Sequence, residues 1–480
     1  MSGSVIAVDV GTSGIRAAVI TSGGQILASR HLPRGSGVGG DLFDCDTLHQ
    51  EVLETIAALP APPDCQALCI AAHIGTVVVD ERLRPVGPGG GWADSRGVAE
   101  LSAQPQEVVR RLLRTAGRPT ATAGAVACLL GLGVAERGRI AAVLAPKDFL
   151  VARLTGNLAT DTVSAAYTLA SDVRRREWNL RGLRELGLTA GLFPRQYEPG
   201  AVVGGLTGPA AAMTGLPSGL PVVAGGPDGS VAIGLLLGTR LDALADIAGT
   251  TDVLARVLPP DMEAPPGAVL NPSVLPGCFT AGGATGLTGG AVSHWRSLLG
   301  KVTEDEIGAL PPGAQGLTVL PAMTGARFPR WTPGSRGAVL GQRPDHTASH
   351  VLMAAREAAA FTVREGLDLL DPDGRLPVVL AGGTVRNENL VRLRADVLSR
   401  PLLVSPEPDV TLLGAAALAL TAAGLAPDAD TLRERLVGTL RPVSPDETRA
   451  RRYADLYSRW RELHDVCGAG SVSLEAGKTL

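Results

Sequence analysis

The sequence predicts an α/β protein built from two duplicated domains with a cleft between them, and three observations carry that prediction. The chain has 480 residues, more than one hydrophobic core usually holds, so two domains of about 200 residues each are expected. Its opening, VIAVDVGTSGIRAAVI (5–20), reads as strand, glycine turn and strand, with Asp9 near the end of the first strand and Gly11-Thr12-Ser13 in the turn. A second stretch, ADIAGTTDVLARVL (245–258), repeats that order with Asp246, Gly249, Thr250 and Thr251, one residue longer between acid and glycine. Recurrence of one strand-turn-strand unit is the mark of a duplication.

The remaining elements follow in order. QILASRHL (25–32) supplies a third strand, DTLHQEVLETIAALP (46–60) has helical spacing, and ALCIAAHIGTVVVD (67–80) returns to strand character. A Gly/Pro-rich piece, LRPVGPGGGWADSRG (83–97), precedes helical segments to about Leu154. At LPVVAGGPDGSVAIGLLLG (220–238) an apolar strand, a glycine turn and a helix begin the pattern again. Later, PVVLAGGTVRNENLVRLRADVLSRPLLV (377–404) reads as strand, glycine turn, helix and strand, and DVTLLGAAALALTAAG (409–424) as a buried Ala-rich helix. No Ser- or Pro-rich linker separates the halves, so the boundary near Gly219 to Arg240 is soft; the division taken is 1–235 and 236–465, with 466–480 expected to be a frayed tail.

Composition narrows the function. The 44 Lys+Arg nearly balance 47 Asp+Glu, which argues against nucleic acid or a membrane surface as partner. No window reaches the roughly 18 apolar residues of a membrane span, and MSGSVIAVDV lacks the basic start and cleavage site of a signal peptide. Six cysteines in so long a chain read as reduced thiols, and a cytoplasmic location is expected. The close pair Cys65 and Cys69 has no His or further Cys nearby to complete a metal site. Lysine occurs only as Lys147, Lys301 and Lys478. Phosphate charge would therefore be met by arginine, a metal ion and backbone amides. The C-terminal EAGKTL is not a phosphate loop, because Val472 stands where that pattern requires glycine and a following helix has no room.

Two Gly-Thr hairpins facing each other can present amides and hydroxyls from both sides to a chain of phosphates. An aspartate at a strand end, such as Asp9, can hold a hydrated Mg²⁺ that bridges phosphate oxygens. Arg16, just past the first turn, supplies a fixed cation for the terminal phosphate. An ordinary hairpin is the competing reading for either copy alone.

On these residues the sequence resembles the FGGY carbohydrate kinases of the actin-like, ribonuclease-H-like ATPase superfamily. The likeness runs to about Gly424 through PKDFLVARLTGNLATDTVSAAYTLASDVRRREW, LPVVAGGPDGSVAIG, RFPRWTPGSRGAVLG and AGGTVRNENLVRLRADVLSRPLLVSPEPDVTLLGAAALA, in the family's order. It implies ATP and Mg²⁺ as cofactors, a small sugar or polyol as substrate, and a homodimer, which the family often forms. It also implies that Gly11, Thr12, Ser13 and Arg16 make one phosphate loop and Gly249, Thr250 and Thr251 the other. Gly290 would lie near the nucleotide, and Gly382, Gly383 and Asn387 would form the adenosine site. Asp9 would reach the metal through water.

The same likeness makes Asp228 the catalytic base. Phosphoryl transfer needs a group that orients the attacking hydroxyl and accepts its proton. By residue type alone, Asp228 would instead be a helix cap.

The sugar site departs from the pattern. Xylulose kinases have Gly-Gln at Ala71-Ala72 and Met-His at His73-Ile74, while glycerol kinases have Arg and Glu at His73 and Ile74. His73 is a candidate sugar contact or a satisfied histidine beside a strand. Trp92, Asp94 and Arg96 match a Trp-x-Asp-x-Arg segment: Trp92 gives a flat apolar face, and Asp94 bonds hydroxyls or merely pairs with Arg96. Ala326 replaces a glutamate common in the family. Lys147-Asp148 reads as a capping pair, Glu357 as core-facing or interdomain support, and Arg327 and Arg330 as surface or cleft residues. Whole-chain likeness favours a ketopentose such as xylulose, with glycerol, a tetritol or another polyol as alternatives. A non-catalytic sugar sensor and an actin-like ATPase remain as other classes, although no DNA-binding segment is seen before Val5 and no peptide-binding domain after the second half.

Overall fold

The computed structural model describes residues 3–34, 42–426 and 429–476. The first sheet starts with the antiparallel strands β1 (Ser4–Val10), β2 (Gly14–Thr21) and β3 (Ile26–Pro33). Helix α1 (Cys45–Ala57), N-capped by Asp44, then leads to β4 (Cys65–Ala72), which pairs parallel to β1. After helix α2 (Pro146–Thr155), β5 (Val202–Gly205) and β6 (Pro221–Pro227) complete the order β5-β6-β4-β1-β2-β3. Helix α3 (Asp228–Leu237) leaves the end of β6 directly.

The second sheet repeats the scheme. Strands β7 (Leu244–Ala248) and β8 (Thr251–Leu258) form the second hairpin, extended by β9 (Val269–Pro272) and β10 (Phe279–Leu287). Helices α4 (Gly289–Leu299) and α5 (Ala348–Leu370) precede β11 (Val378–Gly382), which pairs parallel to β7. Then come helix α6 (Glu388–Leu398), β12 (Leu402–Val404), helix α7 (Val410–Ala422), β13 (Arg441–Val443) and helix α8 (Glu447–Ala476). The order β9-β10-β8-β7-β11-β12-β13 contains the same three antiparallel strands beside two parallel ones. The duplication expected from the two hairpins is therefore a duplication of whole sheets.

Helices α3 and α7 lie between the sheets. Val231, Leu236, Leu413 and Ala416 share one core with Ala7 and Ala18 of the first sheet and Ala245 and Ala255 of the second. The two helices cross closely because Gly414 has no side chain: a Cβ there would meet the Val231 carbonyl oxygen at 2.5 Å. The outer faces are covered separately. Ile6 and Val8 pack under α1 and α2, and Leu244 and Ala248 under α5 and α6. Strand residues thus alternate between the shared core and an outer core.

Where the sequence suggested fraying from residue 466, α8 instead runs through Ala476. No proline interrupts it, and once Tyr453, Tyr457 and Trp460 are anchored around Phe361, adding further turns costs little. Residues 477–480 lie outside the described residues. The strand read over 67–80 ends at Ala72, and Val77–Val79 forms a separate short strand. Among the described residues no helix is long and apolar enough to cross a membrane.

Candidate active site

The first hairpin turns tightly. The Gly11 amide donates to the Gly14 carbonyl at 2.9 Å, which leaves Thr12 and Ser13 exposed at the cleft. Asp9 shares the strand face of Val5 and Ala7, which are in the core between the sheets, and it is only 7% exposed. Its carboxyl is pushed up to about 7, first by burial and then by the charge of Asp228, against the lowering pull of Arg16. Arg16 Nη1 lies 3.5 Å from Asp9 and its Nε 3.7 Å from Asp409, while Arg386 reaches the same Asp409 oxygen at 3.6 Å. Asp409 was not singled out from the sequence. The available signal was an acid in the N-cap position of α7, whose side chain makes no cap hydrogen bond and is left to face Arg16.

Arg16 thus stands between Asp9 and Asp409, Arg386 shares Asp409, and the charge of Asp228 acts on Asp9. Carboxylate oxygens such as those of Asp9 are of the type a hard divalent cation takes. No group of three or more His, Cys, Asp or Glu side chains placed to hold a metal ion exists among the described residues.

Asp228 opens α3, but Pro227 occupies the N-cap position. Among the described residues the Asp228 carboxylate accepts only from the amide of Gly229, at 2.7 Å, a contact within its own turn that caps nothing further along the helix. The cap reading therefore fails on geometry. Burial pushes the carboxyl up to about 6. It lines a cavity of about 170 Å³ together with Thr12 of the first hairpin, Thr251 of the second, His73 and Trp92.

His73 is satisfied at one ring nitrogen, as the structural reading had it, and it also lines this cavity. Its Nδ1–H donates to the Ile74 carbonyl at 3.1 Å, since a carbonyl can only accept, and its edge meets Phe43 at 5.4 Å. Burial holds the imidazole below its usual range and hence neutral, so Nε2 is left as an acceptor. A smaller cavity of about 50 Å³ continues past Ile74 and Trp92 to Asp94, Arg118 and Arg327. Asp94 is committed to Arg96, which binds it through Nε at 2.9 Å and Nη2 at 2.7 Å, as the ion-pair reading had it. Between the domains, Arg118 Nη2 donates to Asn271 at 2.8 Å and Asn271 Nδ2 to the Tyr167 hydroxyl at 3.0 Å. Neither Tyr167 nor Asn271 was picked out from the sequence, because their partnership spans 104 residues.

A third cavity, of about 290 Å³, lies over the second hairpin, lined by Gly249, Thr250, Gly289, Gly383 and Asn387. The Gly290 amide donates to the Thr250 carbonyl at 2.9 Å, tying the loop to the start of α4. Gly382 has φ +92°, and a Cβ there would meet the Ala248 carbonyl at 2.4 Å. Asn387 caps α6 by accepting from the Asn389 amide at 3.0 Å. A cleft of about 770 Å³ joins Thr12 and Ser13 to Thr250 and Gly290. All the proposed phosphate and nucleotide residues except Arg16 therefore border cavities or adjoin residues that do.

Asp246 behaves differently. It is fully buried, paired with Arg394, whose Nη1 also reaches Asp252 at 3.1 Å. Other charged candidates are structural as well. Lys147 binds Asp148, Asp161 at 3.1 Å and the Ala224 carbonyl at 2.7 Å, all buried beneath β6. Glu357 accepts from the Gly313 amide at 2.7 Å and the Tyr453 hydroxyl at 3.1 Å, and Arg330 pairs with Glu365 at 2.6 Å.

Comparison with known proteins agrees over nearly the whole chain. Residues 4–234 match the N-terminal domain, and 244–423 the C-terminal domain, of the FGGY family of carbohydrate kinases. A xylulose kinase of Bacillus subtilis is 24% identical over 485 residues, covering 96% of either chain. Among solved structures, a ligand-bound xylulose kinase from Lactobacillus acidophilus superposes with a TM-score of 0.89 at 20% identity, over 98% of this chain and 100% of that one. A gluconate kinase from the same organism gives 0.88 at 20% identity, over 99% and 100%.

Proposed function

The chain belongs to the FGGY family of carbohydrate kinases, and from that premise we propose that it moves the γ-phosphoryl group of ATP to a hydroxyl of a small sugar or polyol, with Asp228 as general base. The observation that carries this reading is the setting of Asp228. Among the described residues its carboxylate is bound only by its own neighbouring amide, and it lines the cavity that both Gly-Thr hairpins border.

In this mechanism the acceptor lies in the cavity between Trp92 and His73, with one hydroxyl hydrogen-bonded to Asp228. The carboxylate orients that oxygen and takes its proton as the bond to phosphorus forms. The Gly11–Ser13 and Gly249–Thr251 turns hold the phosphates from opposite sides through amides and hydroxyls, and Arg16 offsets charge on the transferring group. Mg²⁺, held by Asp9 through water, would neutralise phosphate charge. The base and ribose occupy the cavity lined by Gly383 and Asn387. Closure of the two sheets about α3 and α7 would exclude water, the competing acceptor. Whole-chain likeness to xylulose kinases makes a ketopentose the first neutral candidate, with glycerol and tetritols next.

The test is ADP release from MgATP across ketopentoses, aldoses, tetritols and glycerol, with Asp228→Asn alongside. Stimulation by a particular compound, lost by about 10³-fold in the Asn variant, is the expected result. A compound that binds without turnover would favour the sensor reading instead.

A further inference from the structure

The acceptor cavity has an electrostatic imbalance at the end away from Asp228. Arg327 lies with its guanidinium 5.0 Å above the Trp92 ring and borders both the larger and the smaller compartment. Among the described residues it makes no hydrogen bond or ion pair. Ala326 beside it offers no carboxylate. Stacking on an indole uses the face of a guanidinium and leaves its five N–H donors at the edge.

Arg118 borders the smaller compartment too, and is 7% exposed. Its donors go to the Leu270 carbonyl at 3.0 Å, the Ala116 carbonyl at 3.1 Å and Asn271 at 2.8 Å. All of these acceptors are neutral, so its charge is solvated but not balanced. The acids bordering these two compartments are Asp94 and Asp228. Asp94 is committed to Arg96 at 2.7 Å, and Asp228 sits at the opposite end.

Two buried or half-buried cations without a counter-charge are costly unless a ligand supplies one. We propose that the acceptor carries a carboxylate at the end remote from the phosphorylated hydroxyl, bound by the N–H edge of Arg327 with Arg118 behind it. The substrate class is then a short-chain sugar acid, an aldonate or keto-aldonate, in place of the neutral sugar of the same length. This rests on the kinase reading for the reaction, but not for the binding.

The inference is tested by pairing acids with their neutral counterparts: xylonate, ribonate and gluconate against xylitol, ribitol and sorbitol, each with MgATP. The expected result is a kcat/KM about 100-fold higher for at least one acid than for its alditol. Arg327→Gln should collapse that ratio by at least about 30-fold through KM, and Arg327→Lys should recover part of it. A neutral compound that outperforms every acid, or a ratio unchanged in Arg327→Gln, overturns the proposal. If no compound is turned over, the kinase reading fails on its own. Calorimetry with MgADP present then decides: tighter binding of an acid than of its alditol upholds the carboxylate site, and equal, weaker or absent binding of the acids overturns it.

Discussion

The two Gly-Thr hairpins share a sequence pattern, yet their aspartates do opposite work. Asp9 stands two residues before Gly11 and Asp246 three before Gly249. In a strand, one residue exchanges faces. Asp9 therefore joins Val5 and Ala7 on the side of the shared core and the cleft, whereas Asp246 joins Leu244 and Ala248 on the outer side under α6. There Arg394 is waiting for it. The position in the second hairpin that corresponds to Asp9 is Ile247, a partly buried apolar residue packed against the shared core. Duplication thus supplied two Gly-Thr turns at the cleft, but of the two hairpin aspartates it left only Asp9 on the face of the shared core.

The sharpest way to break this comparison is to remove the structural acid. Asp246→Asn strands part of the charge of buried Arg394, which retains Asp252, and should cost about 3 kcal/mol. Denaturant unfolding reads this directly, and a loss under about 1 kcal/mol would show that Asp246 is not a strut. Next comes the reciprocal change. Ile247→Asp puts an unpaired carboxylate on the shared-core face and should destabilise by about 2 kcal/mol at pH 8 and less at pH 5, where it can protonate; equal losses at both pH values would count against the face assignment.

The Asp9 carboxyl sharpens the comparison through pH. In the folded chain it lies at about 7, above the 3.8 of an ordinary aspartate, so between these the native state holds more protons than the unfolded one. Stability from this group is full below about pH 4 and is lost as pH rises toward 7. Asp9→Asn should flatten that decline by roughly 1–2 kcal/mol, measurable as unfolding midpoints at pH 5 and pH 8. An unchanged slope would mean that Asp9 is not strained by burial. The smallest effect expected is at the second Gly-Thr turn, the one proposed to hold the nucleotide. A Cβ on Gly289 would meet the Gly249 carbonyl at 2.2 Å, so Gly289→Ala should shift the second turn and weaken ATP about 10-fold, read as KM for ATP; an unchanged KM would separate that turn from the nucleotide.

What the sequence disclosed and what it withheld divide along the range of the interactions. Strand, turn and strand around Gly11 and Gly249 are local patterns, and alternation reveals them. The reversal of Asp246 was available by counting residues to the glycine, but its partner Arg394 lies 148 residues away. Asp409 was hidden for the same reason, since an acid before an Ala-rich helix reads as a cap until Arg16 is seen beside it. Asp228 shows the converse: its strand-to-helix position was legible, while the proline that occupies the cap position, releasing its carboxylate, required the backbone. Arg327 belonged by composition to an arginine-rich surface. Only the packing of Trp92 beneath it reveals a cavity wall.

The most direct test of the central claim measures turnover and unfolding on the same preparation of Asp9→Asn. The account predicts that turnover falls by about 10²–10³-fold while the melting temperature at pH 8 stays level or rises. Retained turnover, or a fall in melting temperature like that expected of Asp246→Asn, would contradict it.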